Sequence, residues 1–120
     1  MTRITLRIDF DESRALGPGK VRLLELVGQT GSISAAGRAM GMSYRRAWLL
    51  VDALNQTFQR PVVQTREGGV GGGGADLTEF GIALVASYRA MEQETRETLA
   101  RRINELEQSL APKQPAERSV

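Results

Sequence analysis

Arg45 and Arg46 stand side by side in the string Met42-Ser-Tyr-Arg-Arg-Ala-Trp48, just past Gly41, with Ser43 placed to cap a helix that would open on them. Two guanidiniums in the first turn of a helix suit one task above others. Arginine donates two parallel hydrogen bonds to a guanine edge or clamps a phosphate, and a major groove is wide enough to admit one helix. What the chain lacks narrows the rest. Its 120 residues contain no cysteine and no histidine, so disulfides, thiol chemistry, His- or Cys-based metal sites and His-dependent triads are excluded. Carboxylates, lysines and hydroxyls remain, and no spacing gathers an acid, a base and a nucleophile. The chain reads as a non-enzyme that needs no cofactor.

The elements that must position the two arginines are legible. Ser32 follows Gly31 as an N-cap, and Ile33, Ala36 and Met40 give a short helix an apolar face, kept slim by Ala35 and Ala39. Gly41 supplies a turn position where positive φ is cheap, Met42 gives the turn something to bury, and Ser43 caps the next helix. That helix spans residues 44–58. Ala47, Leu50, Val51, Leu54 and Phe58 form its core stripe, leaving Tyr44, Arg45, Trp48, Asp52 and Asn55 nearer the outside. Two short helices with a tight turn also occur in domains that never touch DNA.

Charge distribution favours DNA over that alternative. The net charge is only +2, but residues 20–66 hold Lys20, Arg22, Arg38, Arg45, Arg46, Arg60 and Arg66 against Glu25 and Asp52. Residues 79–120 hold six basic and seven acidic side chains. The positive field therefore belongs to the helical reader, as phosphate contacts require.

The flanking segments complete a fold. Arg3 to Phe10 alternates, with Ile4, Leu6, Ile8 and Phe10 on one side, as in a half-buried strand. Residues 11–17 read as a loop. Pro18 suits the first turn of a helix that buries Val21, Leu23, Leu24, Leu26 and Val27 and runs to Gly28. After Arg60-Pro61, residues 62–66 are β-prone, and Asp76-Leu-Thr78 can return as a second strand. A hairpin directly after a reader helix is the wing of a winged helix-turn-helix, a mainly α fold with a small β-sheet. The N-terminal strand is expected to pair with the wing.

Between the wing strands, Gly69-Val-Gly-Gly-Gly-Gly74 formally matches the G-x-G-x-x-G dinucleotide fingerprint. With this many glycines the match is nearly automatic, and the helix and second parallel strand that the fingerprint needs are missing. A hairpin tip is the natural reading. Backbone without Cβ can also lie close to DNA, with Arg66 beside it.

Residues 79–111 read as one helix, roughly 50 Å long. Leu84, Tyr88, Met91 and Thr95 follow a 4-3-4 spacing, and Leu99, Ile103, Leu106 and Leu110 repeat it after a shift of phase. Such a seam outruns a domain this small, which favours a homodimer over a helix folded back on its own chain. A protein-interaction module docking through this helix is the alternative function. The expected organisation is one domain over residues 1–111 and a disordered tail over 112–120. No apolar run approaches a membrane span and no secretory pattern opens the chain, so a cytoplasmic location is expected.

Several of these strings together resemble the N-terminal DNA-binding domain of the molybdate-responsive transcriptional regulators, the ModE type. They are Ile4 to Phe10, Gly31-Ser-Ile-Ser34, Met42 to Trp48, Gly68-Gly with Gly72-Gly-Gly-Ala75, and Leu77-Thr-Glu-Phe-Gly81. The helix-turn-helix alone fits LysR-type regulators nearly as well. The glycine-rich wing entering Leu-Thr-x-x-Gly and the Ser-Tyr-x-x-Ala-Trp string distinguish the two. The resemblance implies a winged helix that dimerises through its long terminal helix and binds an inverted-repeat operator in double-stranded DNA.

By position, it implies that Ser43, Tyr44, Arg45 and Arg46 face the major groove. Ser32 and Ser34 approach phosphate with Arg38 nearby, and Arg66, Gly71 and Gly72 lie beside the adjacent backbone. For Trp48 two placements stand: packed between helices, or stacked near a sugar. Full-length members of that family carry C-terminal domains that hold molybdate. This chain ends where those would start, so it is expected to be a single-domain form that does not bind molybdate alone.

Overall fold

The computed structural model describes residues 2–69 and 72–113. Within them lie β1 (Ile8–Asp9), β2 (Ala15–Leu16), α1 (Pro18–Thr30), α2 (Ile33–Ala39), α3 (Tyr44–Thr57), β3 (Val63–Gly69), β4 (Gly72–Leu77) and α4 (Glu79–Gln108). The fold is a winged helix: α2 and α3 form the helix-turn-helix, β3 and β4 the wing. Val70 and Gly71 lie outside the described residues, as do residues 114–120 of the expected tail.

The core forms where the apolar periodicities of the helices meet. Val21, Leu23, Leu24, Leu26 and Val27 of α1 are buried, as their spacing predicts, against Ile33 and Ala36 of α2 and Ala47, Val51 and Leu54 of α3. Pro18 sits at the start of α1. The helix does not stop at Gly28 but runs to Thr30, and Gly31 at φ 70° ends it. Thr30 helps close that end by donating its hydroxyl to the Leu26 carbonyl at 2.7 Å. Gly41 takes φ 72° in the turn before α3, as expected.

The N-terminal segment differs from expectation. It does not extend the wing: β1 pairs antiparallel with β2, and β3 with β4, in two separate sheets. Residues 11–17, expected as a loop, contain β2. The cause is local. The Asp11 carboxylate accepts from the Ser13 and Arg14 amides at 3.0 and 2.8 Å, folding the chain back so that Ala15 and Leu16 meet Ile8 and Asp9. A side-chain hydrogen bond from Arg14 helps to hold the Asp11 carboxyl down to about 2. The alternation is still visible, with Ile4, Leu6 and Ile8 half-buried and their neighbours exposed. Phe10 lies at the edge, its ring 5.8 Å from that of Phe58.

The backbone of Val62 and Val63 joins reader, wing and long helix. Asn55 of α3 accepts from the amides of Val62 and Val63 at 2.7 and 3.1 Å, and its side-chain amide donates to the Val63 carbonyl at 3.1 Å. The Val62 carbonyl in turn accepts from the Thr78 amide at 3.0 Å. Thr78 caps α4 by accepting from the Gly81 amide at 2.9 Å, and donates its hydroxyl to the Pro61 carbonyl at 2.7 Å. A Cβ on Gly81 would collide with the Val62 carbonyl, so the Leu-Thr-x-x-Gly string encodes a close approach of backbone to helix.

The first half of α4 belongs to the core. Tyr88 is fully enclosed by its own chain and donates its hydroxyl to the Leu6 carbonyl at 2.5 Å, while Phe80, Leu84, Val85 and Met91 pack around the cluster. Arg89 adds a polar clamp: its guanidinium donates to both Glu25 carboxylate oxygens, at 2.8 and 3.0 Å, and to Glu92 at 2.7 Å. Those bonds, from Arg89 first of all, hold the Glu25 carboxyl below the usual glutamate range and raise the Arg89 guanidinium above its ordinary value.

Two outcomes follow for stability. Asn55→Ala leaves buried amides of Val62 and Val63 without their acceptor and should cost about 1–3 kcal/mol in urea unfolding. Glu25→Gln should cost about 1 kcal/mol at pH 7, a figure reduced because Arg89 is partly exposed. Because the folded-state pKa of Glu25 is depressed, this contribution is complete above the unfolded value of about 4.3 and lost as pH falls through the folded one. Paired melts at pH 7 and pH 3 should show the gap between wild type and variant closing in acid.

Candidate nucleic-acid interface

Both short helices are set by serine caps. The Ser32 hydroxyl accepts from the Ala35 amide at 3.0 Å, and the Ser43 hydroxyl accepts from the Arg46 amide at 3.1 Å. Each cap satisfies an amide that the first helical turn otherwise leaves unpaired. Ser43, expected to face DNA, is thus also the residue that starts α3. Ser34 accepts from Arg38 at 3.0 Å, which holds that guanidinium along α2.

The wing is docked on the helix-turn-helix. The Ala75 amide of β4 donates to the Gly31 carbonyl at 2.9 Å, fixing the hairpin against the α1–α2 turn. β4 begins at Gly72, well before the expected return at Asp76, so the glycines extend the wing as strand. Arg66 of β3 lies across Gly74, where a side chain would displace it, and its guanidinium is 2.8 Å from the Asp76 carboxylate. Sequence reasoning placed Arg66 beside DNA without seeing that Asp76 holds it. The pair follows from register, since Arg66 stands opposite Gly74 and Asp76 is two residues further along the same face.

This docking creates a concave groove of about 310 Å³ lined by Ser32, Ser34, Tyr44, Trp48, Arg66 and Gly74, among others. Residues far apart in the chain are thereby brought together: the start of α2, the start of α3 and the wing. On the outer side of α3, Arg45 shares a shallow depression with Tyr44, Trp48 and Leu49, and on the flank Arg46 lines a second one with Ser43 and Leu50, which Arg45 and Leu49 also border. Among the described residues, neither Arg45 nor Arg46 takes part in an ion pair, whereas Arg7, Arg14, Arg22, Arg66, Arg89 and Arg101 all do. Two uncompensated guanidiniums at an exposed helix start are free to donate charge-assisted hydrogen bonds to an anionic or carbonyl acceptor.

Trp48 does not pack between helices. It is 43% exposed, beside Tyr44 at 57% and Leu49 at 48%. Leu49, a residue that core-and-surface reasoning passed over, sits outward because the buried stripe of α3 runs through Ala47, Val51 and Leu54. Gly71, assigned to the wing contact, lies outside the described residues; Gly72 opens β4. Among the described residues, no group of three carboxylates gathers to hold a metal ion, and no helix is long and apolar enough to cross a membrane.

The apolar seam of α4 divides. Tyr88 is consumed by the chain's own core, which corrects its assignment to a dimer contact, and Leu84 and Met91 pack against the same cluster. Leu99 and Ile103 are half-buried along the helix. Leu106 at 69% and Leu110 at 71% are exposed, Leu110 just beyond the end of α4.

No protein-family model matches the chain. It is 38% identical over 104 residues to the molybdenum transport protein ModE of Azotobacter vinelandii, an alignment covering 84% of this chain and 38% of that protein. It is 49% identical over 77 residues to the molybdenum-pterin-binding protein MopB of Rhodobacter capsulatus, covering 64% of this chain and 28% of that one. With the DNA-binding transcriptional dual regulator ModE of Escherichia coli it shares 33% identity over 90 residues, covering 75% and 34%. The chain spans about a third of the length of these curated relatives. Similarity of this extent, carried on a winged helix, makes the matched stretch of the chain ModE-like.

Proposed function

We propose that the chain is a DNA-binding transcriptional regulator that inserts α3 into the major groove and acts as a homodimer on an inverted-repeat operator. The observation that carries this reading is the pair Arg45 and Arg46, exposed and unpaired among the described residues at the start of α3, beside a groove that continues to the wing. Arg45 lies among Tyr44, Trp48 and Leu49 and is assigned to bases; Arg46, on the flank, is assigned to phosphate. A relative is named a DNA-binding transcriptional dual regulator and others carry molybdenum in their names, which supports regulation of molybdenum handling.

The dimer reading rests on the outer half of α4. Leu99, Ile103, Leu106 and Leu110 continue an apolar stripe beyond the last core residue, and paired helices would cover it. Leu84 and Met91 form the inner end of that stripe.

Four measurements test these assignments. Anisotropy titration with an operator selected from random duplexes should show Arg45→Ala weakening specific binding by about 1–3 kcal/mol with little effect on random DNA. Arg46→Ala should weaken both duplexes and lower the slope of log affinity against log salt by about 1. Adding molybdate should change neither titration, because Arg66, the one cation lining the described groove, is held by Asp76. Ile103→Glu should convert a dimer to monomer in sedimentation and, with it, reduce affinity for the full inverted repeat while sparing a half-site; a dimer surviving this change overturns the α4 assignment.

A further inference from the structure

We propose that Leu49 and Trp48 read thymine through its 5-methyl group, making the apolar face of α3 a specificity device beside the arginines. This rests on the DNA-binding reading above and adds which bases are selected. The geometry behind it is unusual for a solvent-facing helix surface. The outward side of α3 carries a contiguous patch of Tyr44, Trp48 and Leu49, all between 43 and 57% exposed, and Trp48 also lines the cleft toward the wing. Exposed apolar patches of this kind mark contact surfaces.

The charge around the patch selects its partner. Arg45 stands within it and Arg46 on its flank, neither ion-paired among the described residues. Asp52 is occupied by a hydrogen bond from Gln56 at 2.9 Å and Asp76 by Arg66. A surface that is apolar at its centre and cationic around it fits a partner with methyl groups set between rows of phosphate, and the major groove over thymine has that pattern. The same leucine would exclude cytosine, whose exocyclic amine would lose its water without gaining an acceptor.

The test uses the whole chain and a tight-binding duplex selected from a random pool. Deoxyuridine then replaces thymidine one position at a time, which removes only the methyl group. At one or two positions per half-site, the wild-type Kd should rise about three- to fivefold, the value expected for one buried methyl. Leu49→Ala or Trp48→Ala should bind the thymine duplex more weakly and lose the difference between thymine and uracil at the matching position. Circular dichroism melts identify any variant that fails to fold; since Leu49 is exposed, its variant is expected to melt as wild type does. Tight binding that is indifferent to uracil at every position overturns the methyl reading and leaves the DNA reading standing. Uracil sensitivity that persists unchanged in both variants likewise overturns it. Failure to bind any duplex at low salt overturns both.

Discussion

The backbone of Val62 is the junction on which the rest of the structure depends. Its amide is held by the Asn55 side chain of α3, its carbonyl accepts from Thr78 at the start of α4, and Gly81 allows that helix to approach without a Cβ in the way. The backbone of one residue therefore sets the root of the wing, the angle at which α4 leaves and their relation to the reader helix. Buried amides and carbonyls tolerate no vacancy, so the arrangement is specified as well as stabilised. A second tie, from Ala75 to Gly31, closes the wing against the turn before α2. The groove between reader and wing exists because both ties hold.

On this frame the arginines are sorted by their neighbours. Arg89 is consumed in binding α4 to α1 through Glu25, Arg14 in a turn with Asp11, and Arg66 in the wing with Asp76. Arg45 and Arg46 have no such acid among the described residues. A modest net charge thus coexists with a concentrated field at one helix start, because two adjacent arginines stand there without an acid beside them while six others are paired where they stand. The reader face is correspondingly mixed, with free cations next to exposed aromatic and aliphatic groups.

The helices and their caps were legible in the sequence because they depend on neighbours three and four residues away. Ser32 and Ser43 are caps, Gly41 takes positive φ in the turn before α3, and the buried positions of α1 follow its apolar spacing, although that helix ends at Gly31 rather than at Gly28. The failures share a cause. Pairing of β1 with β2 turns on an Asp11 side chain bonded to backbone amides, and periodicity carries no record of a partner strand. Tyr88 fits an apolar seam perfectly well, yet which neighbour fills that seam is decided by where α4 lies on α1.

By itself, then, the sequence determined the order and kind of the helices, the presence of a wing and the absence of thiol and imidazole chemistry, all of which follow from local spacing and composition. Only the tertiary structure decided that Arg66 is held by Asp76, that Asn55 anchors the wing, that Trp48 and Leu49 face outward and that the inner half of α4 is core. Those outcomes depend on contacts between residues distant in the chain, and a side chain's availability is set by the neighbours that folding brings to it rather than by its own type.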